Sequence, residues 1–215
     1  MTNLKTSLVM LIINIFMLNM IIVTIFFYPN NNEQVSAFNY ISYNEFIKIE
    51  IEANKDYINE LYTQLEKLPT HLLNDYIEGG NQIHIVNTPI VEFTTQLPNH
   101  KDISGMFNEY DGYLTIWLKN DRFAIEIATI HEFGHYIDYI ENDLSTSDDF
   151  MRIYEAEKDS FGDNVMNPLH TTIKEHISSN TTEFFAEAFA YYIIHPEKMK
   201  THCPMLYEYY EQLLS

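Results

Sequence analysis

Residues 131 to 135 read His131-Glu132-Phe133-Gly134-His135. On a helix, two histidines four positions apart lie on one face about one turn apart, so both imidazoles reach one metal ion. A glutamate beside the first histidine then polarises a water on that ion, which is the chemistry of metal-assisted hydrolysis. With 9 histidines and 20 glutamates in 215 residues, shuffling would give the His-Glu-x-x-His pattern in about one sequence in thirty. The motif therefore needs a second signal to support it.

A catalytic zinc takes three protein ligands and keeps one position open for water. His131 and His135 supply two. One known arrangement adds a histidine six residues after the second, with a glycine three residues after it. Glu141 and Asp138 hold those positions here and exclude it. Another uses a glutamate at the start of a later helix, and Glu183-Phe184-Phe185-Ala186-Glu187 fits. Glu183 and Glu187 share a face at four-residue spacing, while Phe184, Phe185, Ala188 and Tyr191 bury the rest of the segment. A carboxylate pair in so apolar a stretch needs a partner. Glu183 is thus expected on the metal, with Glu187 accepting a hydrogen bond from the outer nitrogen of a zinc-bound histidine. Cys203 is the lone cysteine, which excludes a cysteine metal cluster and an internal disulfide. His71, His84, His100, His170, His195 and His202 have no ligand spacing to one another.

The elements that must place these residues follow from periodicity. Phe123 to Asn142 reads as the motif helix, with Ile125, Ala128, Ile130, Phe133, Ile137 and Ile140 on its buried sides. Thr182 to Ile194 reads as a second apolar helix ended by Pro196. Upstream, Tyr43 to Leu68 has apolar residues at helical spacing, and a short helix runs through Leu72 to Ile77 before Gly79-Gly80. Gln82 to Asn87 reads as a strand. Met106 to Tyr110 and Tyr113 to Leu118 flank Asp111-Gly112 and form a hairpin. Ser147 to Phe161 is helical, Gly162 to Ser179 is polar and irregular, and Glu197 to His202 and Pro204 to Leu214 close the chain as short helices.

The formal charge is −19. Lys5 is the only charged side chain before Glu33, so the remainder carries 11 basic and 31 acidic residues. Phosphates would be repelled, which argues against nucleic acid as a partner. Leu8 to Tyr28 is an uncharged, mostly apolar run long enough to cross a bilayer. Its length favours an anchor, whereas Val35-Ser36-Ala37 has the small-residue form of a signal cleavage site. Lys5 precedes the run and no charge follows it closely, so both readings leave the acidic part outside the cytoplasm. The expected organisation is a signal peptide or signal anchor plus linker over residues 1–37 and a zinc metallopeptidase domain over 38–215. The expected location is secreted or anchored to the outer face of the cell membrane by residues 8–28.

His131 to Tyr139, HEFGHYIDY, together with Thr182 to Tyr192, TEFFAEAFAYY, resembles the metalloprotease domain of anthrax lethal factor. It resembles the secreted Pro-Pro endopeptidases of Gram-positive bacteria even more. The likeness covers roughly residues 104–215. It implies a zinc endopeptidase of the gluzincin type with His131, His135 and Glu183 on the metal and Glu132 as catalytic base. That family places an oxyanion-stabilising tyrosine seven residues before the glutamate ligand, where this chain has His176. An imidazole N–H can supply the same donor, so His176 is the candidate for that role.

The expected fold is α+β: a small, mostly antiparallel sheet packed beside a helical zinc-metalloprotease lobe, with the N-terminal hydrophobic segment ahead of it. The expected function is extracytoplasmic, Zn2+-dependent hydrolysis of a protein or peptide substrate bound in extended form. The resemblance implies a proline-rich substrate, and the enzyme is expected to act as a monomer, with membrane contact only through the N-terminal segment. A toxin-type protease acting on a host-cell protein and an inactive zinc-dependent binding module stay open as alternatives.

Overall fold

Alternation of β-branched residues sets the first strand of the described fold. Ile47-Lys48-Ile49 forms strand β1, a period-two pattern hidden inside the helical spacing of Phe46, Ile49 and Ala53. The computed structural model describes residues 46–49, 55–86, 104–108, 115–120, 122, 124–166 and 180–215, all within the unit Ser42–Ser215. After β1 come helix α1 (Lys55–Leu65) and helix α2 (Thr70–Glu78). Strands β2 (Gln82–Val86), β3 (Gly105–Asn108) and β4 (Thr115–Lys119) follow. A wide π turn at Ala124–Ala128 leads into α3, Thr129–Ile140. The chain continues through a 3-10 turn at Leu144–Thr146 into α4 (Asp148–Ser160), then a second π turn at Phe161–Val165. The last helices are α5 (Thr181–Ile194), α6 (Pro196–His202) and α7 (Pro204–Leu213).

The α+β class holds, but the sheet is mixed rather than mostly antiparallel. Its order is β1-β2-β4-β3. β1 pairs with β2, and β2 with β4, in parallel, while β3 runs antiparallel to β4. Helical spacing over Tyr43 to Leu68 leaves no strand there, whereas Ile47–Ile49 pairs with β2 and adds a parallel strand to the sheet. With β1 present, α1 and α2 become the crossover that a parallel pair requires. The expected hairpin is real in its strands, with Asn108 opposite Thr115; its Asp111-Gly112 turn lies outside the described residues. So do Leu8 to Tyr28, the linker and His176. Among the described residues no helix is long and apolar enough to cross a membrane.

The core lies between one sheet face and α3. Ile83, Ile85, Ile116 and Leu118 point inward, as do Ile130, Phe133, Leu61 and Leu65, all without solvent exposure. α3 packs against β3 and β4 on this side and against α5 on the other. Behind α5 an aromatic layer closes the lobe. Phe184 sits among Tyr154, Phe161 and Phe150, with ring centroids at 4.9, 5.1 and 6.2 Å, and Tyr210 donates its hydroxyl to the Phe185 carbonyl at 2.7 Å. α4 starts where the Ser147 hydroxyl accepts from the Phe150 amide, a side-chain N-cap.

Candidate metal centre

The two helices that carry the site cross at a glycine. A β-carbon on Gly134 would lie 2.6 Å from the Ala186 α-carbon and 2.9 Å from its carbonyl oxygen. Only hydrogen fits, so α3 and α5 approach backbone to backbone. This contact lies between His131 and His135 on one helix and between Glu183 and Glu187 on the other.

Close approach brings the polar groups together. The His131 and His135 rings stand 4.9 Å apart between centroids. His131 Nε2 lies 3.3 Å from Glu183 Oε2, and His135 Nε2 lies 3.7 Å from Glu183 Oε1. One potential ligand atom from each of the three residues falls within 4.8 Å of the others. Tetrahedral zinc with bonds of about 2.0–2.1 Å separates neighbouring ligand atoms by about 3.3 Å, close to these spacings. Two imidazole nitrogens and one carboxylate, with no thiolate, form one of the donor sets of catalytic zinc. The residues therefore fit such an ion.

Glu187, one turn beyond Glu183, accepts from His131 Nδ1 at 2.9 Å. A carboxylate only accepts, so the Nδ1 proton is fixed there and the neutral ring keeps its Nε2 lone pair toward Glu183 and His135. Burial would lower the pKa of His131, yet its bonds to Glu183 and Glu187 outweigh burial and hold it well above the usual histidine value. Burial likewise raises Glu183, but His131 and His135 outweigh that and hold its carboxyl far below the ordinary range.

Glu132 is 5% exposed. Burial pushes its carboxyl up, against the pull of His131, His135 and a hydrogen bond from the Phe107 backbone. It lies against β3: a β-carbon on Gly105 would come 2.6 Å from Glu132 Oε1 and 2.8 Å from the Ala128 β-carbon. The structure thus gathers His131, Glu132, His135, Glu183 and Glu187. Gly105, Gly134 and Asp138 were missed in the sequence reading. The two glycines had left a signal, since glycine inside a strand or helix marks close backbone approach. Asp138 is a carboxylate 3% exposed, and only the fold shows its partners.

Residues 30–213 match the family model described as anthrax toxin lethal factor, N- and C-terminal domain. A protein named Pro-Pro endopeptidase from Clostridioides difficile (strain 630) is 36% identical over 88 residues, 39% of this chain and 36% of the relative. The match therefore spans about a third of that relative's length. The solved Pro-Pro endopeptidase of Paenibacillus alvei is similar in fold, with a TM-score of 0.60 at 19% identity over 80% of this chain and 98% of the other.

Proposed function

The chain belongs to the anthrax toxin lethal factor family, and from that premise we propose that it is a zinc-dependent endopeptidase acting outside the cytoplasm on an extended protein segment. The observation that carries this reading is the convergence of His131, His135 and Glu183 within 4.8 Å beside the buried carboxylate of Glu132. When bound, zinc supplies Lewis acidity and lowers the pKa of water to about 7.

The remaining chemistry belongs to the chain's own residues. His131, His135 and Glu183 hold the ion, and Glu187 fixes the His131 tautomer through Nδ1. Glu132 accepts a proton from the attacking water and passes it to the leaving amine; its raised pKa suits a group that must both take and give. His176 donates to the oxyanion, a role resting on the family resemblance and tested by the kcat of His176→Ala. β3 is at the end of the sheet order and touches Glu132, so a substrate strand adding to it would run past the base. Two relatives are named Pro-Pro endopeptidases, and we extend proline beside the scissile bond to this chain. Lys5 and the Leu8 to Tyr28 run support a location outside the cytoplasm, and among the described residues one chain supplies all three ligands, which supports action as a monomer.

Digestion of an unbiased peptide library tests the proposal. Cleavage abolished by a chelator and restored by zinc, with proline enriched around the bond, supports it. Cleavage without proline enrichment removes the substrate reading alone, and no zinc-dependent cleavage removes the activity.

A further inference from the structure

The first turn of α5 carries Glu183 and is held from two sides. Asn180 caps it, its Oδ1 accepting from the Thr182 amide at 3.0 Å and the Glu183 amide at 3.4 Å. The second hold reaches back to α3. The carboxylate of Asp138, 3% exposed, accepts from the Ser145 amide at 2.6 Å. Ser145 arrives there because Asn142 and Asp143 both adopt left-handed backbone, with φ of 63° and 58°, and turn the chain over the end of α3. The Asp143 amide seals that turn on the Asp138 carbonyl at 2.8 Å.

Burial raises the Asp138 carboxyl and Ser145 pulls it down. The bond from the Ser145 amide to that carboxylate is charge-assisted and holds the Ser145 backbone in place. The Ser145 hydroxyl then lies 3.3 Å from Thr182 Oγ1, where either oxygen can donate. The link runs from Asp138 through Ser145 to Thr182. Phe184 and the Gly134–Ala186 contact fix the body of α5, whereas this link fixes the turn holding Glu183.

We infer that Asp138, Ser145 and Thr182 are positioning residues for the metal, tying the helix of the two histidines to the helix of the third ligand. The inference rests on the reading of His131, His135 and Glu183 as ligands. It assigns a task to the residue directly before Glu183, whose hydroxyl sets the pitch of the ligand turn.

The test is zinc affinity of the purified full chain, measured by competition with a chromophoric chelator. Thr182→Val removes the hydroxyl at constant shape, and Ser145→Ala removes the middle of the link. Each is expected to weaken zinc by ~10-fold, the lower end of the range for groups supporting a ligand. Thr182→Ser, which restores the hydroxyl, is expected to bind as wild type. Thermal unfolding of the metal-free forms separates ligand placement from general loss of fold, and Thr182→Val keeps the question open to test if Ser145→Ala does not fold. Wild-type affinity in Thr182→Val while Glu183→Ala loses zinc overturns the inference and leaves the metal site standing. Equal weakening in Thr182→Val and Thr182→Ser overturns it too. Unchanged affinity in Glu183→Ala removes the site itself.

Discussion

Gly134 and Ala186 meet with no room for a methyl group between them, the nearest approach of an added β-carbon being 2.6 Å to the Ala186 α-carbon. Alanine is the better helix former by about 1 kcal/mol, whereas an overpacked contact costs about 1–3 kcal/mol. The neighbour here is backbone, which yields only if a helix moves. Gly134→Ala is therefore expected to lower the unfolding midpoint and to lose zinc together with stability. A variant with wild-type midpoint and zinc content would show that the crossing has slack.

Gly105 does for the base what Gly134 does for the ligands. An added β-carbon would press on Glu132 Oε1 at 2.6 Å and on Ala128 at 2.8 Å. The carboxylate is the movable partner, so Gly105→Ala is expected to displace it while leaving the three ligands in place. A displacement of about 1 Å can lower turnover by ~10²-fold. The expected signature is reduced kcat at unchanged zinc stoichiometry. Loss of zinc in step with activity would place the damage elsewhere.

Glu183 and Glu187 are four residues apart, yet their substitutions should differ in kind. Glu183→Ala removes one of the three groups within 4.8 Å and is expected to abolish stable zinc binding. Glu187→Ala removes only the acceptor for His131 Nδ1, and its affinity is expected to fall by ~10–100-fold. Chelator competition on both variants checks the order. Equal losses would erase the distinction between the two carboxylates.

The paired signs at His131 and Glu183 give a pH dependence. In the metal-free chain the raised His131 contributes stability that is full below the ordinary histidine value and is lost as pH rises through the raised one. The lowered Glu183 contributes stability present above the ordinary carboxylate range and lost as pH falls through its depressed value. Zinc needs neutral His131, so loading expels the proton that the two glutamates retain. Apparent zinc affinity is therefore expected to rise with pH across pH 6 to 8. A flat or falling profile over that range would contradict the assignment of His131.

Much of the site was legible because its chemistry is local. His131 and His135 share a helix, and Glu183 and Glu187 share another, so spacing alone put each pair on one face. The residues that let the helices meet were not legible as such. Gly134 signals a close approach but not its partner, which is known only once Ala186 stands opposite, and Asp138 finds Ser145 only through two left-handed residues that no periodicity reveals. The sheet failed for a similar reason. Phe46, Ile49 and Ala53 fit a helix and Ile47-Lys48-Ile49 fits a strand, and pairing with Ile83 to Ile85 decides between them. Nonlocal pairing outweighs local spacing where a segment suits both.

The most direct test compares wild type with Glu132→Gln, recording zinc per chain and peptide-library cleavage on the same preparations. The two proteins should each hold about one zinc. Wild type should cleave, and the glutamine variant, which keeps the shape of the side chain and loses the base, should lose nearly all turnover. Cleavage near the wild-type rate by zinc-loaded Glu132→Gln would contradict the account.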